Sequence, residues 1–134
     1  MNYWLVKSEP GTFSYERLAK DGVACWDGVR NYAARNHLKG MKKGDEVLFY
    51  HSGESKSVVG IAIVAKEFYQ DPTTTEEAWV AVDLKPLKAL KNAVTLSAIK
   101  ANKSLKDMPL IRIPRLSVMP VTAAAFTVLA EMGR

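Results

Sequence analysis

The densest run of chemistry-bearing side chains is WDGVRNYAARNHLKGMKKGDEVLFYHS, Trp26 to Ser52. Trp26, Tyr32 and Tyr50 offer flat apolar faces with a polar tip. Asp27, Arg30, Asn31, Arg35, His51 and Ser52 offer donors and acceptors beside them. A base taken out of its stack needs both kinds of group. Its faces want aromatic contact, worth about 1–3 kcal/mol per base, and its edge wants a few directed hydrogen bonds. The same residues also have plain structural uses. Trp26 can anchor a core, as buried tryptophans generally do. Trp4 reads as core, Trp79 as core or rim, and Tyr50 as sheet packing beside Phe49. Arg30 and Arg35 can sit on an exposed helix face and pair with Asp27 or Asn31. Residue types alone therefore stop at a candidate nucleic-acid-binding domain.

Other chemistries find little support. There is no glycine-rich phosphate loop of either common spacing and no GxSxG elbow. The two histidines, His37 and His51, form no HExxH pair, and a zinc site would draw on a thin supply of ligands. Cys25 is the only cysteine, so no internal disulfide can form. Cys25 with a histidine and Asp27 would make a nucleophile and base only if folding brought them together. Glu9 and Asp27 as paired carboxylates have no fixed separation. An enzyme acting on a nucleotide or small metabolite, and a protein-interaction module, stay open beside a binding module. No cofactor and no metal is expected.

The formal charge of +5 is unevenly placed. Residues 1–83 carry 10 Lys/Arg against 12 Asp/Glu, residues 84–118 carry 8 against 1, and residues 119–134 carry 1 against 1. A basic block of this kind fits a polyanion such as a phosphate backbone, or a solvated lysine face that only aids solubility. The 134 residues, 48% hydrophobic and 25% charged, suit one globular domain, 1–134, with a single core. The start MNYWLVKSEPG lacks a signal-peptide pattern, and no segment approaches the roughly 20 apolar residues of a membrane helix. A cytoplasmic protein is expected, or a nuclear one if the source has a nucleus.

The elements that must position these groups follow from pattern. Tyr3–Lys7 reads as a buried strand, broken by Ser8-Glu9-Pro10-Gly11. Ser14 caps a helix through Asp21 with Leu18 and Ala19 inward, ended by Gly22. A second helix runs from Asn31 to Lys39 and is closed by Gly40. Strands are expected at Glu46–Ser52, Val58–Tyr69 and Trp79–Leu87, the last halted near Pro86, with Gly60 marking a bulge or a close approach of another backbone. Short helices follow at Leu96–Asn102 and Ser104–Met108, then a strand-like Arg115–Val121. Thr122 caps a last helix through Met132, with Ala125, Phe126 and Leu129 as its apolar stripe. Hairpin-linked strands with peripheral helices make an α+β fold with a mostly antiparallel, barrel-like sheet.

Taken together and in order, YWLVKSEP, WDGVRNYAARNHLKGMKKGDEVLFYHS, VVGIAIV and RLSVMPVT resemble the EVE domain family, a branch of the PUA-like superfamily, over nearly the whole chain. The resemblance implies a small barrel-like, mostly antiparallel sheet with flanking short helices. It implies nucleic-acid reading, of modified cytosines in DNA or bases in RNA, and does not imply catalysis. Carried over by motif, one pocket would draw on Lys7, Ser8 and Glu9, on Trp26, Asp27, Arg30, Asn31 and Tyr32, and on Tyr50, His51 and Ser52. Arg115 and Leu116 would close it. Ala33 and Met119 stand where the family more usually has Gln, and the loop between Asp71 and Trp79 is short.

Overall fold

The computed structural model describes residues 1–134. Its strands are β1 (Tyr3–Ser8), β2 (Ala24–Trp26), β3 (Glu46–His51), β4 (Ser57–Gln70), β5 (Val80–Thr95) and β6 (Val118–Val121). Its helices are α1 (Tyr15–Asp21), α2 (Tyr32–Gly40), α3 (Leu96–Ala101), α4 (Pro109–Arg112) and α5 (Ala123–Met132). The six strands form one sheet in the order β2-β5-β4-β3-β1-β6. Every pairing is antiparallel except that of β1 with β3. The architecture is α+β with a mixed, mostly antiparallel sheet, as the pattern and the resemblance implied.

β1 earns its central place from Trp4, Leu5 and Val6, all buried. It lies between β3 and β6, and its continuous apolar run suits a strand covered on both faces. Trp4 Nε1 donates to Asp45 at 3.0 Å, and the same carboxylate accepts from the amides of Asn2 and Lys42. That satisfies the polar tip of a core indole, as a buried tryptophan requires. Trp4 also explains Gly40, which is the last residue of α2. A Cβ there would lie 3.0 Å from the Trp4 ring, so the glycine makes room for the indole.

Several boundaries differ from the sequence reading for local physical reasons. β5 does not stop at Pro86. It continues to Thr95, with the register slipping where Pro86 faces Ala62. A proline without a donor is tolerated at such an irregularity. β4 and β5 slip register at four points, and each slip bends and twists the strands further. Gly60 sits at one of them, and its missing side chain is replaced by the Tyr15 ring, which a Cβ would meet at 2.5 Å. The neighbour there is a side chain and not another backbone. In α1 the buried pair is Tyr15 and Leu18, one helical turn apart, while Ala19 is exposed. β2 and α4 were not foreseen, since three and four residues carry little periodic signal. Lys103–Leu105 is a single 3-10 turn, and β6 begins at Val118, later than Arg115.

The caps at Ser14 and Thr122 follow expectation, while those at Asn31 and Thr95 were not foreseen. Ser14, Asn31, Thr95 and Thr122 each accept an amide hydrogen bond at a helix N-terminus, each worth about 1 kcal/mol. One cluster of 31 buried hydrophobic residues forms the core. It includes Phe49, Leu5 and Leu48 on the strands and Phe126 and Leu129 on α5.

Candidate nucleic-acid interface

The candidate residues gather where β1 and β3 end side by side. Lys7 is in register with Tyr50, and Ser8 with His51. Successive residues of a strand face opposite sides of the sheet. Lys7 and Tyr50 therefore look one way, and Ser8 and His51 the other. The single pocket expected from the sequence is two cavities.

On the side of Ser8 and His51, Trp26, at the end of β2, stands edge-to-face against Phe49 at 5.5 Å and Phe13 at 6.1 Å between ring centroids. It is half-buried, so it is both a core anchor and a wall. It borders a cavity of about 190 Å³ with Ser8, Thr12, Phe13, Cys25 and Asp27. The Ser8 hydroxyl donates to the Phe13 carbonyl at 2.5 Å. The side chains of Thr12 and Asp27 make no hydrogen bond within the protein, and Asp27 is exposed. Thr12 and Phe13 escaped the sequence reading. They enter through the turn after Glu9, whose carbonyl accepts from both their amides.

His51, on the same side, is buried. Its Nε2 accepts from the Tyr15 amide at 3.1 Å, which requires a neutral ring at that atom. Burial lowers its pKa from the ordinary histidine value, against the raising effect of Glu16 and Glu9. His51 is thereby a joint between β3 and the start of α1.

On the second side lie Lys7, Tyr50 and Ser52, with Gly53, Lys56, Leu96, Lys100, Leu110 and Pro114, around a cavity of about 380 Å³. Lys7 Nζ donates to the Pro114 carbonyl at 2.7 Å and lies 5.8 Å from the centre of the Tyr50 ring. Burial lowers the Lys7 pKa and raises that of Tyr50.

The remaining candidates stand apart from both cavities. Arg30 does not pair with Asp27 or Asn31. It donates to Asp71 at 2.9 Å and to Thr73 at 3.1 Å. Asp71 is fully buried and also accepts from the Gly28 amide at 2.8 Å and from the amide and hydroxyl of Thr73 at 2.7 and 2.6 Å. Burial alone would raise this carboxyl. The bonds from Thr73, Arg30 and Gly28 win and hold it well below the usual carboxylate range. The result is a clamp that pins the Trp26–Arg30 segment to the loop before Trp79.

Asn31 is spent as the cap of α2, accepting from the Ala34 amide at 2.9 Å. Tyr32 is 65% exposed. Its ring lies 5.1 Å from that of Trp79, and the Arg35 guanidinium sits 4.9 Å from it. Glu9 is exposed beside Gly53, where a Cβ would meet its carboxylate at 2.7 Å. Arg115 is exposed, and Leu116 belongs to the core.

The nucleophile reading for Cys25 fares poorly. Partial burial and the negative charges of Asp27, Asp83 and Asp71 push the thiol up, against a hydrogen bond from Tyr69. A raised thiol is a weak nucleophile at neutral pH. The Tyr69 hydroxyl donates to Asp83, facing Cys25 across the β2–β5 pair. A further cavity, about 430 Å³, lies at the other end of β1 and is lined by Met1, Tyr3, Trp4 and Pro120 among others, with no charged side chain. No group of three or more His, Cys, Asp or Glu converges as a metal site, and no helix is long and apolar enough to cross a membrane.

Comparison with known proteins bears on this geometry. The EVE domain model matches residues 2–132. Mouse thymocyte nuclear protein 1 is 38% identical over 93% of this chain and 70% of its own length. A crystal structure of a protein from Agrobacterium tumefaciens superposes with a TM-score of 0.97 at 41% identity, covering 99% of this chain and 93% of that one. Human THYN1 protein, crystallised in complex with 5-methylcytosine-containing DNA, superposes with a TM-score of 0.91 at 33% identity over 100% of this chain and 98% of that one.

Proposed function

The chain belongs to the EVE domain family, and we propose that it is a nucleic-acid-binding module that takes one flipped or unpaired base, C5-modified cytosine foremost, into the cavity beside Trp26. The observation that carries this reading is the lining of that cavity. It combines an indole wall and the Phe13 ring with a hydroxyl, Thr12, and a carboxylate, Asp27, that no protein group occupies. A cytosine presents an amino donor at its edge, and carboxylates are the usual acceptors for it. Its methyl-bearing edge suits an apolar wall. The cavity is smaller than the roughly 300–1,000 Å³ of pockets for drug-sized ligands, which suits one heterocycle. The human relative in complex with 5-methylcytosine-containing DNA supports the same class of ligand.

In this reading Trp26 and Phe13 give the faces, Asp27 and Thr12 read the edge, and the Asp71–Arg30 clamp holds the Trp26 segment in place. His51 and Ser8 keep the ends of β3 and β1 fixed behind the cavity. No bond of the ligand is made or broken.

The test is a binding titration at low salt, using short single- and double-stranded oligonucleotides that differ only in one cytosine or 5-methylcytosine. The methylated strand binds about tenfold more tightly, the lower end of what one carbon is worth in an apolar pocket. Trp26→Ala loses the difference, and Trp26→Phe, which keeps more of the packing on Phe49, retains part of it. Equal affinities for both strands in the wild-type protein, unchanged in Trp26→Phe, would count against the reading.

A further inference from the structure

The cavity on the Tyr50 side has a composition that base reading does not use. Lys7, Lys56 and Lys100 all border it, and no carboxylate does. Lys7 reaches it from the end of β1 with one proton committed to the Pro114 carbonyl, leaving two donors on its ammonium group. The side chains of Lys56 and Lys100 form no hydrogen bond or ion pair within the protein, and both residues are exposed. Lys100 comes from α3 one turn beyond Leu96, so residues at that spacing share a helix face, and both border the cavity. Lys56 is brought there by an unusual backbone. It is the one non-glycine residue with positive φ, 39°, and its carbonyl accepts from the Leu96 amide at 2.7 Å. Strain of this kind persists where the surroundings over-determine it, often at ligand sites.

Two neutral donors complete the lining. Tyr50 is 3% exposed, yet its hydroxyl has no partner in the protein. No side-chain polar atom is sealed from solvent without a partner, so that hydroxyl opens into the cavity. The Ser52 hydroxyl is likewise free. Glu54 borders only the neighbouring depression, which shares Lys56, Leu96 and Lys100, and Glu9 stands near Gly53 at the rim. The interior carries three cations and two neutral donors, the complement of an anion with several acceptor oxygens.

We infer that this cavity takes a phosphate group of a nucleic-acid backbone, bound across the sheet from the Trp26 cavity by Lys7, Lys56, Lys100, the Tyr50 hydroxyl and Ser52. The inference rests on the nucleic-acid reading above for its source of phosphate but not on the identity of any base. The two sites lie on opposite faces at the same end of β1 and β3. A strand rounding that end would leave a base on one side and a backbone phosphate on the other.

The test follows backbone amide and Trp26 indole signals by nuclear magnetic resonance. Wild-type protein and the double variant Lys56→Gln/Lys100→Gln are titrated with an unmodified single-stranded oligonucleotide and, separately, with inorganic phosphate. In the wild type both probes shift the amides of Ser52, Gly53, Lys56 and Lys100, the oligonucleotide at lower concentration. The double variant keeps its spectrum of a folded protein and loses those shifts. Its oligonucleotide affinity falls less steeply with salt, the log–log slope shrinking by about 1–2 for two lost phosphate contacts. Shifts at these amides that persist undiminished in the double variant, with an unchanged slope, would overturn the inference. So would saturation by inorganic phosphate with no response to the oligonucleotide, which would assign the cavity to a free phosphate. The Trp26 indole reports the base site separately, so failure of base reading leaves the phosphate result legible.

Discussion

The two sides of the β1–β3 pair make an instructive contrast, because neighbouring residues build opposite surfaces. Ser8 and His51 face the aromatic side, with Trp26, Phe13 and a free carboxylate. Lys7 and Tyr50, one residue earlier on each strand, face a cavity with three ammonium groups and no carboxylate. The alternation of a strand sorts a contiguous motif into an aromatic surface and a cationic one. The sides also differ in how they are held. The aromatic side is locked by a fully buried carboxylate with four donors, and the cationic side by a strained lysine and a short helix.

Loosening the lock on one side only should give the largest effect. Asp71→Ala strands Gly28, Arg30 and Thr73 without their common acceptor. Removing one partner of a buried pair costs about 3–5 kcal/mol, and Arg30 is 41% exposed, which places the loss near the lower end, about 3 kcal/mol. Denaturant unfolding measures it. Base discrimination falls with it, while the salt slope of oligonucleotide binding stays as in the wild type. The same residue sets the acid limb of stability. Its folded pKa is depressed, so its contribution is complete above the unfolded carboxylate value, about 3.9. It is lost as pH falls below that value. Asp71→Ala should flatten the fall in stability below about pH 4.

Met119 comes next. It is fully buried on β6, opposite Leu5, and borders neither cavity. Met119→Gln restores the residue more usual in the family but buries an amide, which costs about 1–3 kcal/mol without a partner. Thermal or denaturant unfolding reads that loss, with base discrimination unchanged in the folded fraction.

His51 gives a milder, pH-dependent effect on the aromatic side. Its folded pKa is lowered by burial, so it stabilises the fold fully above the unfolded value of about 6.5. That stability is lost as pH falls towards 5, because the unfolded state takes up the proton more readily. His37 is lowered for the same reason and adds to the trend. His51→Gln should make the decline shallower by no more than about 1.4 kcal/mol per pH unit, as followed by unfolding at a series of pH values. The smallest change is Ala33→Gln, on the exposed first turn of α2. Stability should stay within about 0.5 kcal/mol, and base discrimination should hold, since the residue lines neither cavity.

Much of this arrangement was legible in the sequence. The buried run around Trp4, the caps at Ser14 and Thr122, and the apolar stripe of α5 all follow local rules that tertiary structure left intact. The resemblance to the EVE domain family pointed to the fold and to the end of β1 and β3. Three things were out of reach. Pro86 reads as a strand end, yet a register slip against β4 absorbs it, and that slip depends on a partner strand. Asp71 looks like an ordinary turn residue before a proline, and its reach to Arg30 spans 41 positions. Lys56 and Lys100 belong to separate charge runs, and only the contact of Leu96 with Lys56 brings them to one cavity. The division into two cavities was implicit in the strand period, but needed the β1–β3 register to be seen.

The most direct measurement is a double comparison on one pair of oligonucleotides, with cytosine or 5-methylcytosine at a single position, across a range of salt. Trp26→Phe should reduce the discrimination between them and leave the salt slope alone. Lys56→Gln/Lys100→Gln should reduce the slope by about 1–2 and leave the discrimination alone. If each variant altered both quantities in proportion, or neither altered either one, the division of labour between the two sides of the sheet would be wrong.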